Sequence, residues 1–504
     1  MKKLPIGLQD FEKIRQGNYL YIDKTQEIFN LIEFGSYLFF TRPRRFGKSL
    51  TVSTMYQLFR GNRALFEGLW IENNWDWTKT HPVIWLRFAT MGEQSIGLEA
   101  GILKQLRQIA DGYGVSLDST DYIGAFEELI RVLHREFGRV VLLIDEYDKP
   151  LVDHMNDRER LEQNRQTLRG FYAVVKDADP YLEFFFITGV SAFSKVSLFS
   201  ALNNLQNVTL QRVTETLTGL TEAEIDAHLT PYLRELPLKQ LQHWYNGYSW
   251  TGNVRVYNPF SLMCALNSGN LHNFWIDSGT PNYLTELLRE HDFVNLEFSE
   301  ISQSRLTTFE PTDIDPVGLL FQTGYLTITG RDELDHQAYY LDYPNLEVRQ
   351  SLQTLLLRSI TSEDDFDTRA RANRMTKALL ANDLPQFFVH FNALLAGVPY
   401  DLWNRDGEFV FHAVFYLAFE LIGVPIMVEV HTKHGRADAV VELPEAVYGF
   451  EFKADASVRS ALEQIYQRSY LAPFRGSGRR LIAVGVKYDS SQREVVDWKA
   501  EVLN

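Results

Sequence analysis

The feature that most constrains the fold of this chain is the segment Arg-Phe-Gly-Lys-Ser at residues 45–49. It follows an apolar run at 37–40, which predicts a β-strand, and precedes a run at 50–55 that predicts a helix. A strand, a Gly-Lys-Ser turn and a helix are the parts of a phosphate-binding loop. In such a loop, backbone N–H groups at the helix N-terminus surround phosphate oxygens and a lysine adds positive charge. The segment therefore predicts nucleotide binding, with Lys48 and Ser49 at its centre.

The loop departs from the usual pattern at one position. The full pattern is G-x-x-x-x-G-K-[ST], and Arg42, followed by Pro43, occupies the place of the first glycine. Glycine adopts a positive φ at low cost, whereas proline fixes its own φ and disfavours helical geometry in the residue before it. We expect a rebuilt loop in which Arg42, Arg44 or Arg45 contributes charge to the phosphates. Binding is then retained, while the motif leaves the rate of hydrolysis open.

A second strand ends in two acidic residues. Residues 140–144 are five consecutive aliphatic residues, which predict a strand buried on both faces, as in a parallel sheet. Asp145 and Glu146 follow at its carboxyl end. In P-loop ATPases an aspartate at this place holds Mg²⁺ together with the loop Ser or Thr, here Ser49, and an adjacent acid orients the attacking water. The two segments together predict ATP and Mg²⁺ as cofactors, with Glu146 as a catalytic residue.

Thr188 ends a third predicted strand, at residues 182–187. AAA-type ATPases carry a polar residue here that contacts the γ-phosphate, and the alternative interpretation is a hydroxyl that caps the next turn. The candidate nucleotide-binding residues from the sequence are Arg45, Gly47, Lys48, Ser49, Leu50, Asp145 and Thr188.

Composition limits the class of protein. An apolar content of 45% and a charged content of 23% are typical of an ordinary globular protein. The sequence contains no run of about 18 apolar residues, the length that a membrane span needs, and no recognisable secretory leader. We therefore expect a cytoplasmic protein without a membrane partner. The single cysteine, Cys264, excludes an intrachain disulfide and a zinc site built from cysteines. A net charge of −15 argues against nucleic-acid binding over the whole surface but leaves room for a local basic groove.

The C-terminal part contains a predicted β-hairpin with charged residues. Residues 435–443 and 447–453 predict two strands that turn at 444–445, which places Asp438 opposite Glu451. Strand alternation puts Glu451 and Lys453 on one face and aromatic residues on the other. Two carboxylates and an ammonium suit metal-dependent cleavage of a phosphodiester. From the pattern alone, however, a solvated polar strand face is the favoured interpretation.

Several segments together resemble the bacterial AAA-ATPase-like family, whose C-terminal domain is similar to PD-(D/E)XK nucleases. They lie at residues 4–7, 21–25, 41–49, 145–150, 188–191, 244–248, 257–260, 324–328 and 343–347. The family has the same Arg-Pro-Arg-Arg-Phe-Gly-Lys-Ser segment, so the absence of the first glycine resembles a family trait. The resemblance covers essentially the whole chain.

The resemblance implies a second catalytic site. Asp438, Glu451 and Lys453 match the D…E-x-K positions of the nuclease domain one by one, and Gln464 lies on the helix that follows. Glu408 matches an upstream metal-site position, which Glu429 could share, while His412 is assigned a structural role. The implied metal ligands in the whole chain are Ser49, Asp145, Glu408, Asp438 and Glu451. Mg²⁺ is the implied metal at the nuclease site, and Mn²⁺ could substitute for it.

These patterns predict an α/β protein in three parts. Residues 1–225 form an AAA-like P-loop domain with a parallel sheet, residues 226–380 a helical lid and a winged-helix-like region, and residues 381–504 a nuclease-like α/β domain. The lid is predicted to begin with a capping box of Thr221 and Glu224. The winged-helix pattern is a helix, a Gly324 stop and two strands, and its favoured interpretation is interdomain packing, with DNA contact as the alternative.

The predicted function is an ATP-binding and ATP-hydrolysing protein that controls a metal-dependent nuclease. DNA is favoured over RNA as the substrate, and defence or mobile-element biology fits this activity. The alternative is a regulatory switch or scaffold whose nuclease-like domain binds nucleic acid without cleaving it. A third hypothesis, an ATPase that acts on protein partners, has only the charge balance in its favour. Because AAA-type sites often form between subunits, a homo-oligomer is a further hypothesis.

Overall fold

The structure is a computed structural model that places most of the chain in two compact units. It describes residues 1–193, 198–199, 202–234, 236–275, 300–310, 313–335, 337–361, 365–399, 403, 407–421, 424, 426–432, 435–454 and 457–503. The N-terminal unit consists of the described residues of 1–279 and 297–348, and the C-terminal unit of those of 349–504.

The N-terminal unit is built on a parallel sheet of five strands. Its strands are β1 (Tyr37–Thr41), β2 (Val83–Arg87), β3 (Val140–Asp145), β4 (Leu182–Gly189) and β5 (Gln206–Asn207). They lie in the order β2-β3-β4-β1-β5, and every pairing is parallel. All residues of β1 and β3 are buried, as the uninterrupted apolar runs predict for a sheet covered on both faces.

Thirteen α-helices of the described residues accompany this sheet and the region that follows it. They are α1 (Phe11–Gln16), α2 (Thr25–Phe34), α3 (Lys48–Phe59), α4 (Glu93–Ile96), α5 (Leu98–Tyr113), α6 (Tyr122–Phe137), α7 (Lys149–Val152), α8 (Arg158–Asp177), α9 (Glu222–His228), α10 (Leu238–Tyr245), α11 (Pro259–Ser268), α12 (Gln303–Thr307) and α13 (Pro316–Thr323). The helix that follows the phosphate loop, α3, packs Val52 and Met55 against Phe40, Leu143 and Phe186 of the sheet. This core holds the start of α3 against the carboxyl ends of the strands.

A small antiparallel sheet closes the N-terminal unit. Its strands β6 (Ile301–Ser302), β7 (Thr327–Arg331) and β8 (Ala338–Asp342) lie in the order β6-β8-β7. Helix α13 ends at Gly324, whose φ of +91° places it in the left-handed region. The predicted succession of helix, glycine stop and two strands is therefore present, and the α/β class with a helical, winged-helix-like middle is confirmed.

The C-terminal unit is a mixed sheet of five strands with helices. Its strands are β9 (Ile426–Thr432), β10 (Gly435–Glu442), β11 (Ala446–Ala454), β12 (Arg480–Asp489) and β13 (Glu494–Leu503), in the order β13-β12-β11-β10-β9. Strands β11 and β12 are parallel and the other pairs are antiparallel. Its helices are α14 (Leu346–Thr361), whose first residues belong to the N-terminal unit, α15 (Asp365–Leu380), α16 (Leu384–Ala396), α17 (Gly407–Leu421) and α18 (Val458–Arg468).

Domain limits at 225 and 380 remain a prediction, since the described residues group into two units that meet in sequence at residue 348. Among the helices that the structure describes, none combines the length and the apolar character needed to cross a membrane.

Candidate nucleotide and nuclease sites

The strand order brings the three N-terminal motifs to one edge of the sheet. Strand β4 lies between β1 and β3, so the phosphate loop, Thr188 and Asp145 follow three adjacent carboxyl ends. Phe40 is the register partner of Thr188, and Ile144 is the partner of Ile187. The residue predicted to sense the γ-phosphate thus lies between the loop and the acidic pair. Ligands of open parallel sheets bind beyond such carboxyl ends.

In this phosphate loop, the residues with a left-handed backbone conformation come later in the sequence than the first glycine of the standard motif. Gly47 has a φ of +93° and is the N-cap of α3, and Arg45 has a φ of +68°. A left-handed conformation costs a non-glycine residue about 1–2 kcal/mol, so the surrounding packing must hold Arg45 in place. Its exposed guanidinium lies over the ring of Phe260, 4.6 Å from the centroid. Lys48, Ser49 and Leu50 form the first turn of α3.

The side chain of Arg42 points away from the loop. Its guanidinium donates hydrogen bonds to the carbonyl oxygens of Thr41 (2.9 Å), Thr209 (2.8 Å) and Thr214 (2.9 Å). It also lies 3.9 Å from the ring centroid of Trp250 and is 1% exposed. Burial lowers the pKa of Arg42 well below its usual value. The expectation that Arg42 contributes charge to phosphate therefore does not fit the structure, because its two terminal nitrogens donate to backbone carbonyls.

The backbone of the same residue holds the loop lysine. Lys48 Nζ donates to the carbonyl oxygens of Arg42 and Pro43, both at 2.9 Å. Burial lowers the pKa of Lys48 to about 8, while the nearby carboxylates of Asp148 and Asp145 oppose this shift. The ammonium is thus close to two acids, and its bonds are to neutral carbonyls that an anionic ligand would replace readily.

Asp145 is a buried carboxylate with free coordinating capacity. It is 5% exposed, and among the described residues its Oδ1 has no hydrogen-bond partner. Burial raises the pKa of Asp145 to about 6, against a lowering by a hydrogen bond from Ser49. The next residue, Glu146, has a φ of +54°, an uncommon conformation for a residue with a side chain. An unsatisfied buried oxygen beside a hydroxyl is the chemistry that a Mg²⁺ ion with its waters would complete.

The turn after β3 is tied to the turn after β4. Asp148 accepts hydrogen bonds from the backbone N–H groups of Val190 (3.0 Å) and Ser191 (2.7 Å). Tyr147 donates its hydroxyl hydrogen to the carbonyl of Ser191 at 2.7 Å, and its backbone N–H bonds to the carbonyl of Thr188. The Thr188 hydroxyl is fully buried and has no partner in the described part of the chain. It therefore does not cap the next turn there.

Residues of the later part of the unit pack on the phosphate loop. Phe46 meets the rings of Tyr248 and Trp250 edge-on, with centroids 4.7 and 5.3 Å away. Gly324 approaches Pro43 so closely that a Cβ there would lie 2.7 Å from the Cβ and Cγ of the proline. The shape of the loop therefore depends on the region that follows the sheet.

Two residues of this site were missed from the sequence. Asp148 was visible only as part of the acidic segment 145–148, with no role assigned, and its hydrogen bonds depend on the pairing of β3 with β4. Trp250 lies about two hundred residues beyond the loop it covers, and no local pattern connects the two.

In the C-terminal unit the predicted hairpin is present. Ala439 pairs with Phe450 and Glu442 with Val447, so the register continues to Asp438 opposite Glu451. Asp438 accepts a hydrogen bond from the backbone N–H of Phe452 at 2.8 Å. The rings of Phe450 and Phe452 pack against Phe415 of α17, with centroids 5.1 and 4.9 Å away. Alternation thus leaves Glu451 and Lys453 on the opposite face, as predicted.

Glu451 and Lys453 form a partly buried ion pair. Glu451 is fully buried, and its Oε1 accepts from Lys453 Nζ at 2.8 Å. Burial and the nearby Asp438 raise the pKa of Glu451, while Lys453 lowers it. Oε2 of Glu451 has no hydrogen-bond partner among the described residues. A hard cation held by Asp438 and Glu451 would satisfy this oxygen.

The other predicted nuclease residues differ in their surroundings. Gln464, on α18, donates its Nε2 to the hydroxyl of the buried Tyr470 at 3.1 Å. Glu408 is exposed at the start of α17. His412 packs edge-on against Phe452, with centroids 5.2 Å apart, which agrees with a structural role. The side chain of Glu429 lies outside the described part of the structure.

Both sites have donors suited to Mg²⁺. Ser49 and Asp145 would hold it in the N-terminal unit, and Asp438 and Glu451 in the C-terminal unit. Across the residues that the structure describes, however, no three His, Cys, Asp or Glu side chains gather as a metal cluster, so Glu408 does not join Asp438 and Glu451.

The N-terminal unit, with Lys48, Asp145 and Thr188 at one sheet edge, defines an AAA-type P-loop protein, and the C-terminal unit defines a nuclease-like fold. The chain matches the family described as "Predicted AAA-ATPase" over residues 5–199 and the PD-(D/E)XK nuclease superfamily over residues 406–498. The chain belongs to the AAA-ATPase-like family with a C-terminal PD-(D/E)XK nuclease superfamily domain.

A relative from Azotobacter chroococcum mcd 1, described as an uncharacterized protein in the vnfD 5′ region, is 39% identical over 516 residues, which cover 100% of this chain and 99% of the relative. A solved structure of the Aeropyrum pernix ORC1 protein in complex with DNA is similar over 68% of this chain and 96% of its own, at 11% identity and a TM-score of 0.26. A likeness at this level supports no conclusion about function.

Proposed function

We propose that the chain binds and hydrolyses ATP and that this activity controls a metal-dependent nuclease in its C-terminal unit. The observation that carries the nucleotide part is a pair of buried oxygens, Asp145 Oδ1 and Thr188 Oγ1, which have no hydrogen-bond partner among the described residues. They lie near the carboxyl ends of β3 and β4, and the charge of Asp145 acts on the loop lysine Lys48. Unpaired buried polar atoms are costly, so a site that keeps two of them is suited to a polar ligand.

The residues of the N-terminal site have separate roles in this proposal. The first-turn N–H groups of Ser49 and Leu50 and the ammonium of Lys48 bind the phosphates. Asp145 and Ser49 would hold a Mg²⁺ ion, which would supply positive charge to the phosphates. Glu146 orients the attacking water and accepts its proton, and Thr188 donates its hydroxyl to the terminal phosphate. Arg45 supplies charge from the exposed side of the loop.

The C-terminal unit would then cleave a phosphodiester bond. Asp438 and Glu451 would hold Mg²⁺, or Mn²⁺ as a substitute, and Lys453 would stabilise the charge that develops on the phosphate. Gln464 positions Tyr470 beside this site through its hydrogen bond to the tyrosine hydroxyl. DNA is the proposed substrate, ahead of RNA, and defence against foreign DNA or mobile-element biology would use such an activity. We place the protein in the cytoplasm, and a homo-oligomer is compatible with an AAA-type site.

A second candidate function is a nucleotide-dependent switch or scaffold whose nuclease-like unit binds nucleic acid without cleaving it. The observation that favours it is the absence, in the described residues, of a third acidic or histidine ligand beside Asp438 and Glu451.

The test uses the purified full-length chain, with plasmid DNA and single-stranded RNA, in Mg²⁺ or Mn²⁺ and with or without ATP. We expect metal-dependent cleavage that responds to ATP, is abolished in Glu451→Gln and loses its ATP response in Lys48→Ala. Nucleic-acid binding without cleavage under every condition would favour the scaffold. Cleavage that is the same with and without ATP would refute the proposed control.

A further inference from the structure

A second lysine lies next to Lys453 on the neighbouring strand. Strands β11 and β12 are parallel, and their register pairs Glu451 with Gly485 and Lys453 with Lys487. Neighbouring strands are about 4.8 Å apart, and register partners project from the same face of a sheet. Lys487 therefore shares the face and the strand end of the two candidate nuclease residues.

Packing identifies that face independently. Val486, the neighbour of Lys487 in sequence, faces the other side of the sheet and is fully buried. The register partner of Val486 on β13 is Trp498, whose ring stacks on Phe388 of α16. A Cβ on Gly485 would lie 2.7 Å from the carbonyl oxygen of Val458, the first residue of α18. Helix α18 thus covers the site face at Gly485, and Lys487 lies two residues further along the strand.

The two lysines differ in their partners. Lys453 is bound to Glu451 Oε1, so its charge is balanced by a buried carboxylate. Lys487 takes part in none of the ion pairs found in the described part of the chain, although Asp497 is its register partner on β13. Two lysines at neighbouring register positions repel each other, and of the two only Lys453 is held in an ion pair among the described residues. This arrangement suits an anion that approaches the open side of Lys453, whose side chain is 27% exposed.

We propose that Lys487 binds the phosphodiester backbone of the nucleic acid beside the phosphate to be cleaved. This inference rests on the proposed nuclease function and adds a substrate-binding residue to it. In a chain with a net charge of −15, attraction for a polyanion must come from such local cations. Contacts to phosphate position a strand without reading its sequence, so Lys487 would act equally on all sequences.

The test measures binding by the full-length chain, using a fluorescent DNA duplex and an RNA duplex of the same sequence, with Ca²⁺ as the only divalent ion. Binding is followed by anisotropy over a series of NaCl concentrations. We expect Lys487→Gln to raise Kd about fivefold to tenfold and to lower the slope of log K against log salt by about one, the value of one lost phosphate contact. Lys487→Arg should stay within about twofold of wild type, because it keeps the charge.

Lys499→Gln is the matched control. Lys499 is the register partner of Gly485 on the same face, but its ammonium is bound to Glu501 at 2.7 Å. Lys499→Gln removes the same formal charge from the same sheet as Lys487→Gln does. Because the charge of Lys499 is already balanced by Glu501, we expect Kd and the salt slope to stay unchanged. A salt slope in Lys487→Gln equal to that of wild type, or an equal loss in Lys499→Gln, would overturn the inference.

The same experiment separates this inference from the proposed function. In Mg²⁺, Lys487→Gln should raise KM for cleavage more than it lowers kcat, since it weakens binding. Wild type that binds but never cleaves would refute the nuclease, and the salt slope would still decide the role of Lys487. Wild type that binds neither DNA nor RNA would refute both.

Discussion

The ammonium of Lys48 donates a hydrogen bond to the carbonyl oxygen of Arg42, at 2.9 Å. Arg42, which replaces the first glycine of the phosphate loop, therefore has two structural roles. Its main chain holds the loop lysine, and its side chain joins the loop to the segment that contains Thr209 and Thr214. Arg42 is thus a structural support of the loop.

Arg42→Gly should weaken the protein although it restores the standard motif. The change removes three hydrogen bonds to buried carbonyls and the contact with Trp250, so we expect a loss of about 3 kcal/mol in the free energy of unfolding. ATP binding should fall as well. Chemical denaturation and nucleotide titration measure the two effects, and Arg135→Ala, which changes an exposed helical arginine, serves as the control. Stability at or above wild type would contradict the supporting role.

Gly324→Ala should disturb the phosphate loop from a distance in sequence. A methyl group there meets Pro43 at 2.7 Å, in addition to the cost of a side chain at a φ of +91°. Gly68→Ala is a matched control, since Gly68 has a φ of +75° but, in the part of the chain that the structure describes, no atom within 4 Å of the added Cβ. Both variants should lose about 1–2 kcal/mol of stability from the backbone alone. Only Gly324→Ala should also weaken ATP binding, and equal affinities in both variants would contradict the coupling.

Asp145→Asn should stabilise the metal-free protein at neutral pH. Burial raises the pKa of Asp145 to about 6, above the 3.8 of an unperturbed aspartate, so the folded state binds its proton more tightly than the unfolded state. Wild type therefore loses stability as pH rises from about 4 to about 6. Removing the charge should raise the free energy of unfolding by about 3 kcal/mol at pH 7.5, and by about half of that at pH 5. Denaturation in EDTA at both pH values tests this expectation, which a pH-independent difference would contradict.

Lys453→Met should destabilise the C-terminal unit because it leaves Glu451 buried without its ammonium partner. We expect a loss of about 2 kcal/mol at pH 7.5, discounted for the partial exposure of Lys453. The loss should shrink at pH 4.5, where the raised pKa of Glu451 favours its neutral form. In the double variant Glu451→Gln/Lys453→Met, most of the cost at pH 7.5 should disappear, which denaturation in a double-mutant cycle measures. Additive single effects would show that the two side chains do not interact.

Local patterns in the sequence were sufficient to predict the secondary-structure elements that carry the candidate residues. The buried runs before the phosphate loop and before Asp145 are strands, and Thr221 with Glu224 forms the expected capping box. The hairpin that places Asp438 opposite Glu451 has the predicted turn. These features depend on hydrogen bonds and side-chain periodicity within a few residues, and such short-range effects are present in the sequence itself.

The direction of the Arg42 side chain could not be predicted in this way. Its acceptors, the carbonyls of Thr209 and Thr214, come from a segment more than 160 residues away, which β5 brings beside β1. From the sequence we expected the positive charge of Arg42 to lie near the bound phosphates, because it belongs to a phosphate loop. Burial between Phe40 and Trp250 decided otherwise.

By itself, the sequence determined the class of each site: a phosphate loop with its acidic strand, and two carboxylates with a lysine on a hairpin. Only the tertiary structure decided which strands are neighbours. It placed Thr188 between the loop and Asp145, and it set Lys487 beside Lys453. The reason is that parallel strands are joined by long crossovers, so their order and register depend on how helices pack over the whole sheet and not on any local pattern.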